Sequence, residues 1–294
     1  MAEPGRDRAI GVTPFDPRVT PARPDLAAKH LQGQVNASRF VEGTAYEVVE
    51  GQAPLRRAPA PDAALETEAL CGERVVIYEQ TEEGWAWGQL ESDRYVGFMP
   101  ASALAAPGPA PTHRVSALHT LVFPAPSIKA PPIGALPLGA TLTVAREVDR
   151  FAVTRRGFYV PQQHLVQIAV HAADFVAVAE RFVGAPYLWG GKTNLGIDCS
   201  GLVQVALTQT GLACPRDSDM QAQWLGTAVD PGHDHANLRR GDLVFWQGHV
   251  AIVRDARTLV HANAFHMGVA IEPIRDAVSR IGGTGSDVTG VRRL

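Results

Sequence analysis

The 294-residue sequence predicts an α+β protein in which two small β-barrels precede a domain of helices followed by strands. Two observations predict the barrels and the last domain. Short β-branched strands separated by charged turns fill much of the first half. Near residue 170 the apolar period changes to that of an amphipathic helix, and β-rich segments then continue to about residue 292. A chain of this length can form two or three compact domains.

Composition and charge narrow the possible partners. Apolar residues make up 46% and charged residues 19%, as in folded globular proteins. The net charge of -3 provides no basic field, so the sequence predicts neither nucleic acid nor an anionic membrane as the main partner. The first residues lack the apolar segment of a secretory signal, which predicts a cytoplasmic location. Three cysteines are too few for a disulfide framework, and the sequence leaves the oligomeric state open.

Residues 1–35 are rich in Pro, Arg and Asp. This composition predicts an extended N-terminal arm with a short helix near "DLAAKHLQ" (25–32). The sequence does not indicate what this arm does.

Two stretches of similar pattern follow, within predicted barrels at 36–107 and 112–168. "RVVIYEQTEEGWAWGQLESDRYVGFMPASAL" (74–104) and "TLTVAREVDRFAVTRRGFYVPQQHLV" (141–166) both alternate short strands with charged turns. Pro100 and Pro161 are 61 residues apart, as are Leu104 and Leu165, which predicts a weak internal repeat. The Pro-rich "AAPGPAPTH" (105–113) separates the units as a linker. The arrangement resembles the bacterial SH3-like barrels that are often attached to cell-wall enzymes.

The last domain, 169–294, begins with a predicted amphipathic helix that Gly184 closes. Its apolar positions have helical spacing: Phe175, Val178, Ala179, Phe182 and Val183. A second helix follows "GKTNLGIDCS" and ends near Gly211, with apolar residues at 202, 203, 206 and 207.

Cys199 lies in the first turn of that second helix, directly after the N-cap residue Asp198. The free N–H groups and the helix dipole favour a thiolate there, so the sequence predicts a lowered thiol pKa. The carboxylate of Asp198 opposes this effect, but capping is expected to turn it toward backbone N–H groups. The alternative is a buried structural cysteine without a chemical role.

Two histidines provide a possible base for the thiol. "HVAIV" and "TLVHA" read as paired strands joined by the polar "RDAR". If the turn centres on Asp255, His249 lies opposite His261 and the two rings share a face of the sheet. One imidazole could then take the thiol proton while the other fixes its tautomer. A slip of one residue would send the rings to opposite faces.

"APYLWGGKTNLGIDCSGLVQ", "PRDSDMQ" and "GDLVFWQGHVAIV…HANAF" together resemble the NlpC-type, papain-like cysteine peptidases of bacterial cell walls. The resemblance covers roughly residues 170–294. With two SH3-like barrels before it, the chain is similar to the γ-D-glutamyl-L-diamino-acid endopeptidases that trim murein peptides. The resemblance implies Cys199 as nucleophile, His249 as general base and acid, and His261 as the orienting residue, with no cofactor and no metal.

The resemblance also implies residues that bind substrate. Tyr187 would help to stabilise the oxyanion. Asp198, Ser200 and Ser218 would hold the N-terminal part of the peptide, and Tyr95 of the first barrel would close the pocket over it.

The implied substrate is a murein tripeptide or tetrapeptide with a free N-terminal L-Ala, cleaved between D-Glu and diaminopimelate or lysine during cell-wall peptide recycling. The ammonium of L-Ala needs a carboxylate partner, and Asp198 stands beside the nucleophile; the alternative is that Asp198 serves only as the helix cap. A barrel packed across the cleft would shorten it at one end. This would favour a free peptide terminus over an intact wall polymer.

Three other functions stay open from the sequence. The chain could be an inert module that binds murein fragments, although none of the three expected catalytic residues is missing. Cys199, His249 and His261 could instead bind zinc, but the sequence lacks HEXXH and CXXC spacing. An amidase or acyltransferase would use the same site and the same acyl-enzyme.

Overall fold

A computed structural model describes residues 15–294, so residues 1–14 of the expected N-terminal arm lie outside the described part of the chain. The described arm contains β1 (Ala27–Ala28), a 3-10 turn (Lys29–Leu31) and β2 (Phe40–Val41), which pairs in parallel with β1. The short helix expected near residues 25–32 is therefore a single 3-10 turn. The arm packs on the first barrel, where Leu26 is fully buried with Trp87 and Phe98.

The segment predicted as the first barrel, which keeps that name below, is a seven-stranded antiparallel sheet in the order β5-β4-β8-β7-β6-β3-β9. Its strands are β3 (Thr44–Val48), β4 (Gln52–Arg56), β5 (Leu65–Leu70), β6 (Arg74–Gln80), β7 (Trp85–Leu90), β8 (Val96–Pro100) and β9 (Leu104–Ala105). Trp87 and Phe98 on one face of the sheet pack against the arm, while apolar residues on the other face point into one core. Val48, Leu55, Val75, Leu90 and Met99 are buried there.

The second module consists of three small antiparallel sheets, ordered β13-β10-β17, β11-β12 and β14-β15-β16. The strands are β10 (His113–Val115), β11 (His119–Val122), β12 (Gly134–Pro137), β13 (Thr141–Leu142), β14 (Val144–Val148), β15 (Phe151–Thr154), β16 (Tyr159–Pro161) and β17 (Leu165–Gln167). Val115, Leu136 and Val160 lie in its core.

The two modules share one local unit at the positions of the predicted repeat. Pro100 ends β8, a 3-10 turn follows, and β9 starts at Leu104. Pro161 ends β16 and is followed in the same way by a 3-10 turn and by β17, which starts at Leu165. The common offset of 61 residues therefore corresponds to a repeated strand–turn–strand structure.

The C-terminal domain packs helices against a six-stranded antiparallel sheet ordered β20-β25-β21-β22-β23-β24. Its helices are α1 (Phe175–Glu180), α2 (Cys199–Gln209), α3 (Ser218–Trp224) and α4 (Ile274–Gly282). A small hairpin, β18 (Lys192–Thr193) and β19 (Gly196–Ile197), precedes α2. The sheet strands are β20 (Thr227–Ala228), β21 (Leu243–Trp246), β22 (His249–Val253), β23 (Thr258–Asn263), β24 (Gly268–Pro273) and β25 (Gly290–Arg293).

Helix α2 is the buried centre of this domain. Almost all of its side chains are buried, which explains an apolar sequence without a clear polar face. Leu202, Val203 and Ala206 pack in one core with Val250 and Ile252 of β22. This packing fixes the start of α2 against the start of β22. No helix among residues 15–294 is long and apolar enough to cross a membrane.

Buried polar contacts join the first barrel to the C-terminal domain. Glu68 Oε2 accepts a hydrogen bond from the backbone N–H of Lys192 at 2.7 Å, and Thr67 Oγ1 accepts one from Arg216 at 2.9 Å. Gln204 of α2 donates to Asp93 at 2.9 Å. Because unpaired polar groups are costly to bury, these contacts require the barrel to stay in place beside α2.

Candidate active site

Cys199 is the first residue of α2, and Asp198 caps the helix by accepting a 2.7 Å hydrogen bond from the N–H of Gly201. The position of Cys199 agrees with the sequence prediction, but its thiol does not have the lowered pKa that was predicted. Burial, followed by the charge of Asp198, raises the pKa of Cys199 to about 12, so the resting sulfur is a neutral thiol. Desolvation outweighs the helix dipole here, and capping does not remove the charge of Asp198 from the vicinity of the sulfur.

The two histidine rings meet as expected, but by a different register. His249 Nε2 lies 2.9 Å from His261 Nδ1. Strands β22 and β23 pair Ile252 with Val260 and Val253 with Leu259, so the turn centres one residue later than predicted. This register shifts every expected partner by two positions. Because side chains alternate with a period of two, the shift keeps both rings on the same face.

Both imidazoles are neutral at neutral pH. Burial, and then the neighbouring His261, lowers the pKa of His249 to about 3. Burial also lowers the pKa of His261 to about 4, against the opposing effect of Glu272. Since Nε2 of His249 is engaged with His261, its Nδ1 is the nitrogen left for another partner.

The sulfur of Cys199 lies at the same end of strand β22. The backbone N–H of Val250, the residue after His249, is a hydrogen-bond partner that acts to lower the thiol pKa. A neutral thiol, a neutral imidazole and a second imidazole are thus gathered at the start of α2 and of β22. This set can carry out nucleophilic acyl transfer with general-base assistance.

The next member of this chain of contacts, Glu272, was not among the residues predicted from the sequence. His261 Nε2 lies 3.1 Å from Glu272 Oε2 in β24. Arg280 of α4 donates to both oxygens of Glu272, at 3.1 and 2.6 Å. Although burial acts in the opposite direction, Arg280 and His261 lower the pKa of Glu272, so it carries a negative charge. An acid in the otherwise apolar "GVAIEP", on the strand that pairs with β23, was the available signal.

Tyr187 lies near the sulfur, as the prediction for an oxyanion residue requires. Burial is the largest effect that raises the pKa of its hydroxyl, and the second is the negative charge that Cys199 would carry as a thiolate. The hydroxyl is therefore a neutral donor. A bridge between Tyr187 and Ile197 holds the residue beside the turn that leads into α2.

Asp198 does not have the free oxygen that the predicted substrate role needs. Its Oδ1 accepts from Gly201 N–H and from Arg216 Nη1 at 2.7 and 2.9 Å. Its Oδ2 accepts from Gly190 N–H and from Arg216 Nη2, both at 2.7 Å. Arg216 is only 1% exposed, so the pair is buried. These contacts contradict the prediction that Asp198 binds an ammonium. The alternative role as the helix cap is present, but Asp198 also forms a buried ion pair with Arg216.

Ser200 is likewise committed to this internal network. Its hydroxyl donates weakly to Asp198 at 3.3 Å and accepts from Arg216 at 2.9 Å, and the residue is 6% exposed. The hydroxyl proton of Ser200 is therefore already in use, and it is not free for the expected contact with substrate. Ser218, the first residue of α3, is partly exposed, and its role stays a prediction.

The carboxylate available for a ligand is Asp217, which was not predicted from the sequence although it stands beside Ser218 in "PRDSDMQ". Tyr95 of the first barrel donates its hydroxyl to Asp217 Oδ2 at 3.1 Å, and Arg18 donates to the same oxygen at 2.8 Å. Among the described residues, Oδ1 has no hydrogen-bond partner. Asp217 holds the N-cap position of α3, but its side chain makes no capping hydrogen bond. Oδ1 can therefore accept a hydrogen bond from a ligand.

The alternative zinc site is not assembled from the three predicted ligands. His249 Nε2 and His261 Nδ1 point at each other rather than at a common centre. Within residues 15–294, the potential metal ligands that lie within 4.8 Å of one another are His261, His266 and Glu272, a set without Cys199.

Two segments of the chain match known families. Residues 55–104 match the bacterial dipeptidyl-peptidase Sh3 domain, and residues 184–281 match the NlpC/P60 family. The C-terminal domain therefore contains an NlpC/P60 domain over residues 184–281. Its helices and sheet have the papain-like fold of this family, which confirms the predicted fold class for this domain and an SH3-like module before it.

Two curated relatives each match about a third of the chain. A γ-D-glutamyl-L-lysine dipeptidyl-peptidase of Bacillus cereus is 34% identical over 111 residues, which are 35% of this chain and 32% of the relative. Dipeptidyl-peptidase 6 of Lysinibacillus sphaericus is 32% identical over 101 residues, or 34% of this chain and 36% of the relative. The chain thus spans about a third of the length of the curated relatives it matches.

One solved structure resembles almost the whole chain. An NlpC/P60 family protein from Bacillus cereus has a TM-score of 0.70 and 22% identity, and the match covers 85% of this chain and 99% of that one. At this identity the likeness concerns the fold. The arrangement of small β-modules before an NlpC/P60 domain is therefore one that another protein also adopts.

Proposed function

We propose that the protein is a cysteine peptidase that hydrolyses the bond between the γ-carboxyl of D-Glu and a diamino acid in murein peptides with a free N-terminal L-Ala. The observation that carries this proposal is the placement of Cys199 at the start of α2, beside the hydrogen-bonded pair His249 and His261. The NlpC/P60 family of this domain and the relatives named γ-D-glutamyl-L-lysine dipeptidyl-peptidase support it.

In the proposed acylation step, the sulfur of Cys199 attacks the γ-carbonyl carbon while its proton passes to Nδ1 of His249. The S–C bond forms and the carbonyl oxygen becomes an oxyanion. Tyr187 and backbone N–H groups at the start of α2 donate to this oxygen. His249 then protonates the leaving amine as the C–N bond breaks, which releases the diamino acid and leaves a thioester.

In the deacylation step, His249 takes a proton from water and the hydroxide oxygen attacks the thioester carbon. The C–S bond breaks, and the sulfur recovers its proton from His249. His261 holds the ring of His249 in the reactive orientation, and the negative charge of Glu272 stabilises the imidazolium through His261.

The neutral resting state makes proton transfer part of the attack. With a thiol pKa of about 12 and an imidazole pKa of about 3, transfer from Cys199 to His249 is unfavourable before substrate binds. Stabilisation of the oxyanion must offset this cost in the transition state. The site therefore works as a general-base system and not as a preformed ion pair.

Selection for a free amine is assigned to Asp217 and Tyr95. Asp217 Oδ1 can accept from an ammonium, while Tyr95 and Arg18 hold Oδ2. Arg216, the preceding residue, contacts both Asp198 and Ser200, the neighbours of Cys199, so Asp217 lies near the nucleophile. In this proposal the first barrel, which contributes Tyr95, closes the substrate site at this end, and this suits peptides already released from glycan. The proposed setting is the recycling of such peptides in the cytoplasm.

The test is to incubate the protein with L-Ala-γ-D-Glu-meso-diaminopimelate and the matching lysine peptide and to follow the free diamino acid by mass spectrometry. We expect release that is unaffected by EDTA and abolished by Cys199→Ala, while the control Cys71→Ala retains it. Binding without turnover would support the inert module instead, and EDTA-sensitive release would support a metal site. Cleavage of another bond would indicate amidase chemistry.

A further inference from the structure

Arg18 of the N-terminal arm forms the centre of a carboxylate cluster beside the proposed amine site. Its Nη1 donates to Asp217 Oδ2 and Asp219 Oδ1 at 2.8 and 2.9 Å. Its Nη2 donates to Asp219 Oδ2 and Asp16 Oδ2 at 2.8 and 2.7 Å, and its Nε donates to Asp16 Oδ1 at 3.1 Å. A residue nearly two hundred positions from Asp217 in sequence thus holds one of its oxygens.

The arm around Arg18 is fixed to the first barrel. The carbonyl of Arg18 accepts from the N–H of Val96 at 2.8 Å, and the carbonyl of Val19 accepts from Gln89 Nε2 at 2.7 Å. Val19 is 8% exposed and packs in the core of the barrel. Because Val96 follows Tyr95, the two groups that hold Asp217 Oδ2 are both anchored at the start of β8.

Arg18 has no donor left for a substrate carboxylate. A guanidinium carries five N–H donors, and the five hydrogen bonds above use all of them. Three carboxylates surround this single cation, so the cluster keeps a net negative charge. Such a cluster attracts a cation and repels an anion.

We propose that Arg18 is a positioning residue of the amine subsite: by holding Asp217 Oδ2 together with Tyr95, it presents Asp217 Oδ1 to the ammonium group of a peptide. This inference rests on the proposed function, because that function supplies the ammonium. It assigns to the N-terminal arm a part in substrate specificity.

Arg18 also affects the charge of Asp217. Burial raises the pKa of this carboxyl, and Arg216 and Arg18 act to lower it. Tyr95 faces it from the barrel, and Asp219 faces the same guanidinium from α3. Loss of Arg18 therefore raises the pKa further. An ammonium binds to the ionised carboxylate, so binding is lost when Asp217 becomes protonated. Without Arg18 this protonation, and with it the loss of binding, should begin at a higher pH.

The experiment measures binding and not turnover, in a Cys199→Ala background. Calorimetry compares L-Ala-γ-D-Glu-meso-diaminopimelate with its N-acetyl derivative at several pH values. We expect Arg18→Ala to weaken binding of the free peptide about fivefold, equivalent to about 1 kcal/mol for a partly exposed ion pair. The affinity for the N-acetyl peptide should not change. As the pH is lowered, the variant should lose its affinity for the free peptide at a higher pH than the parent does.

Arg23→Ala is the matched control, because Arg23 is an arm residue whose carboxylate partners, Asp25 and Glu79, lie away from Asp217. Its binding should equal that of the parent. A preference for the free amine that is as large in Arg18→Ala as in the parent would overturn this inference alone. If the parent binds the free and the N-acetyl peptide equally, both this inference and the proposed amine site are overturned. If the parent prefers the free peptide but the wild type cleaves nothing, only the peptidase proposal is overturned.

Discussion

Replacement of Glu272 by glutamine tests the chain of contacts behind the nucleophile. The substitution keeps the shape of the side chain but removes the negative charge that His261 Nε2 and Arg280 contact. Hydrogen bonds to charged groups contribute about 1.5–3 kcal/mol. Loss of that amount from the stabilisation of the imidazolium predicts a decrease of roughly 10- to 100-fold in kcat. Because Glu272 does not touch the substrate in this mechanism, KM should change little.

The assay is steady-state release of the diamino acid, together with thermal unfolding of each variant. Glu180→Gln is the control, since Glu180 forms similar ion pairs with Arg240 and Arg254 on the surface. It should retain wild-type kcat. A Glu272→Gln enzyme with kcat within twofold of the wild type would refute the reasoning. So would a decrease that is matched by partial unfolding at the assay temperature.

Three further predictions concern charge in the site. Because the pKa of Cys199 is about 12, its alkylation by iodoacetamide should still accelerate above pH 9, and a plateau near pH 8.5 would contradict a buried neutral thiol. The lowered pKa values of His249 and His261, about 3 and about 4, mean that the unfolded chain binds protons that the folded chain excludes. The free energy of unfolding, measured with urea, should therefore fall as pH drops from about 6.5 toward 4, and a flat profile would oppose this. Asp198→Asn leaves Arg216 with an unbalanced buried charge and should destabilise the protein by about 3–5 kcal/mol, whereas an unchanged denaturation midpoint would show that the pair is not needed.

The position of the nucleophile could be predicted because the signals are local. Asp198, Cys199 and the apolar spacing after them specify a capped helix within a few residues of one another. The two histidines could be brought to one face because strand parity tolerates an error of two positions. The actual pairing of Ile252 with Val260 differs from the predicted register and preserves that parity.

The remaining features depend on contacts between distant segments. The thiol pKa follows from burial of Cys199 by the surrounding fold, which the helix start does not reveal. Asp198 is saturated because Arg216 reaches it from the segment before α3, and Asp217 is held by Arg18 from the arm. No local pattern encodes these pairings. Glu272 could have been predicted from the sequence, because a lone acid in an apolar strand next to the histidine strand indicates a buried hydrogen-bond partner.

The most direct test of the central claim is cleavage of L-Ala-γ-D-Glu-meso-diaminopimelate in water enriched in oxygen-18. We expect the wild type to form free diaminopimelate and L-Ala-D-Glu with one heavy oxygen in the γ-carboxyl group, and Cys199→Ala to form neither product. Label in any other position, or equal release by the variant without the thiol, would contradict the claim.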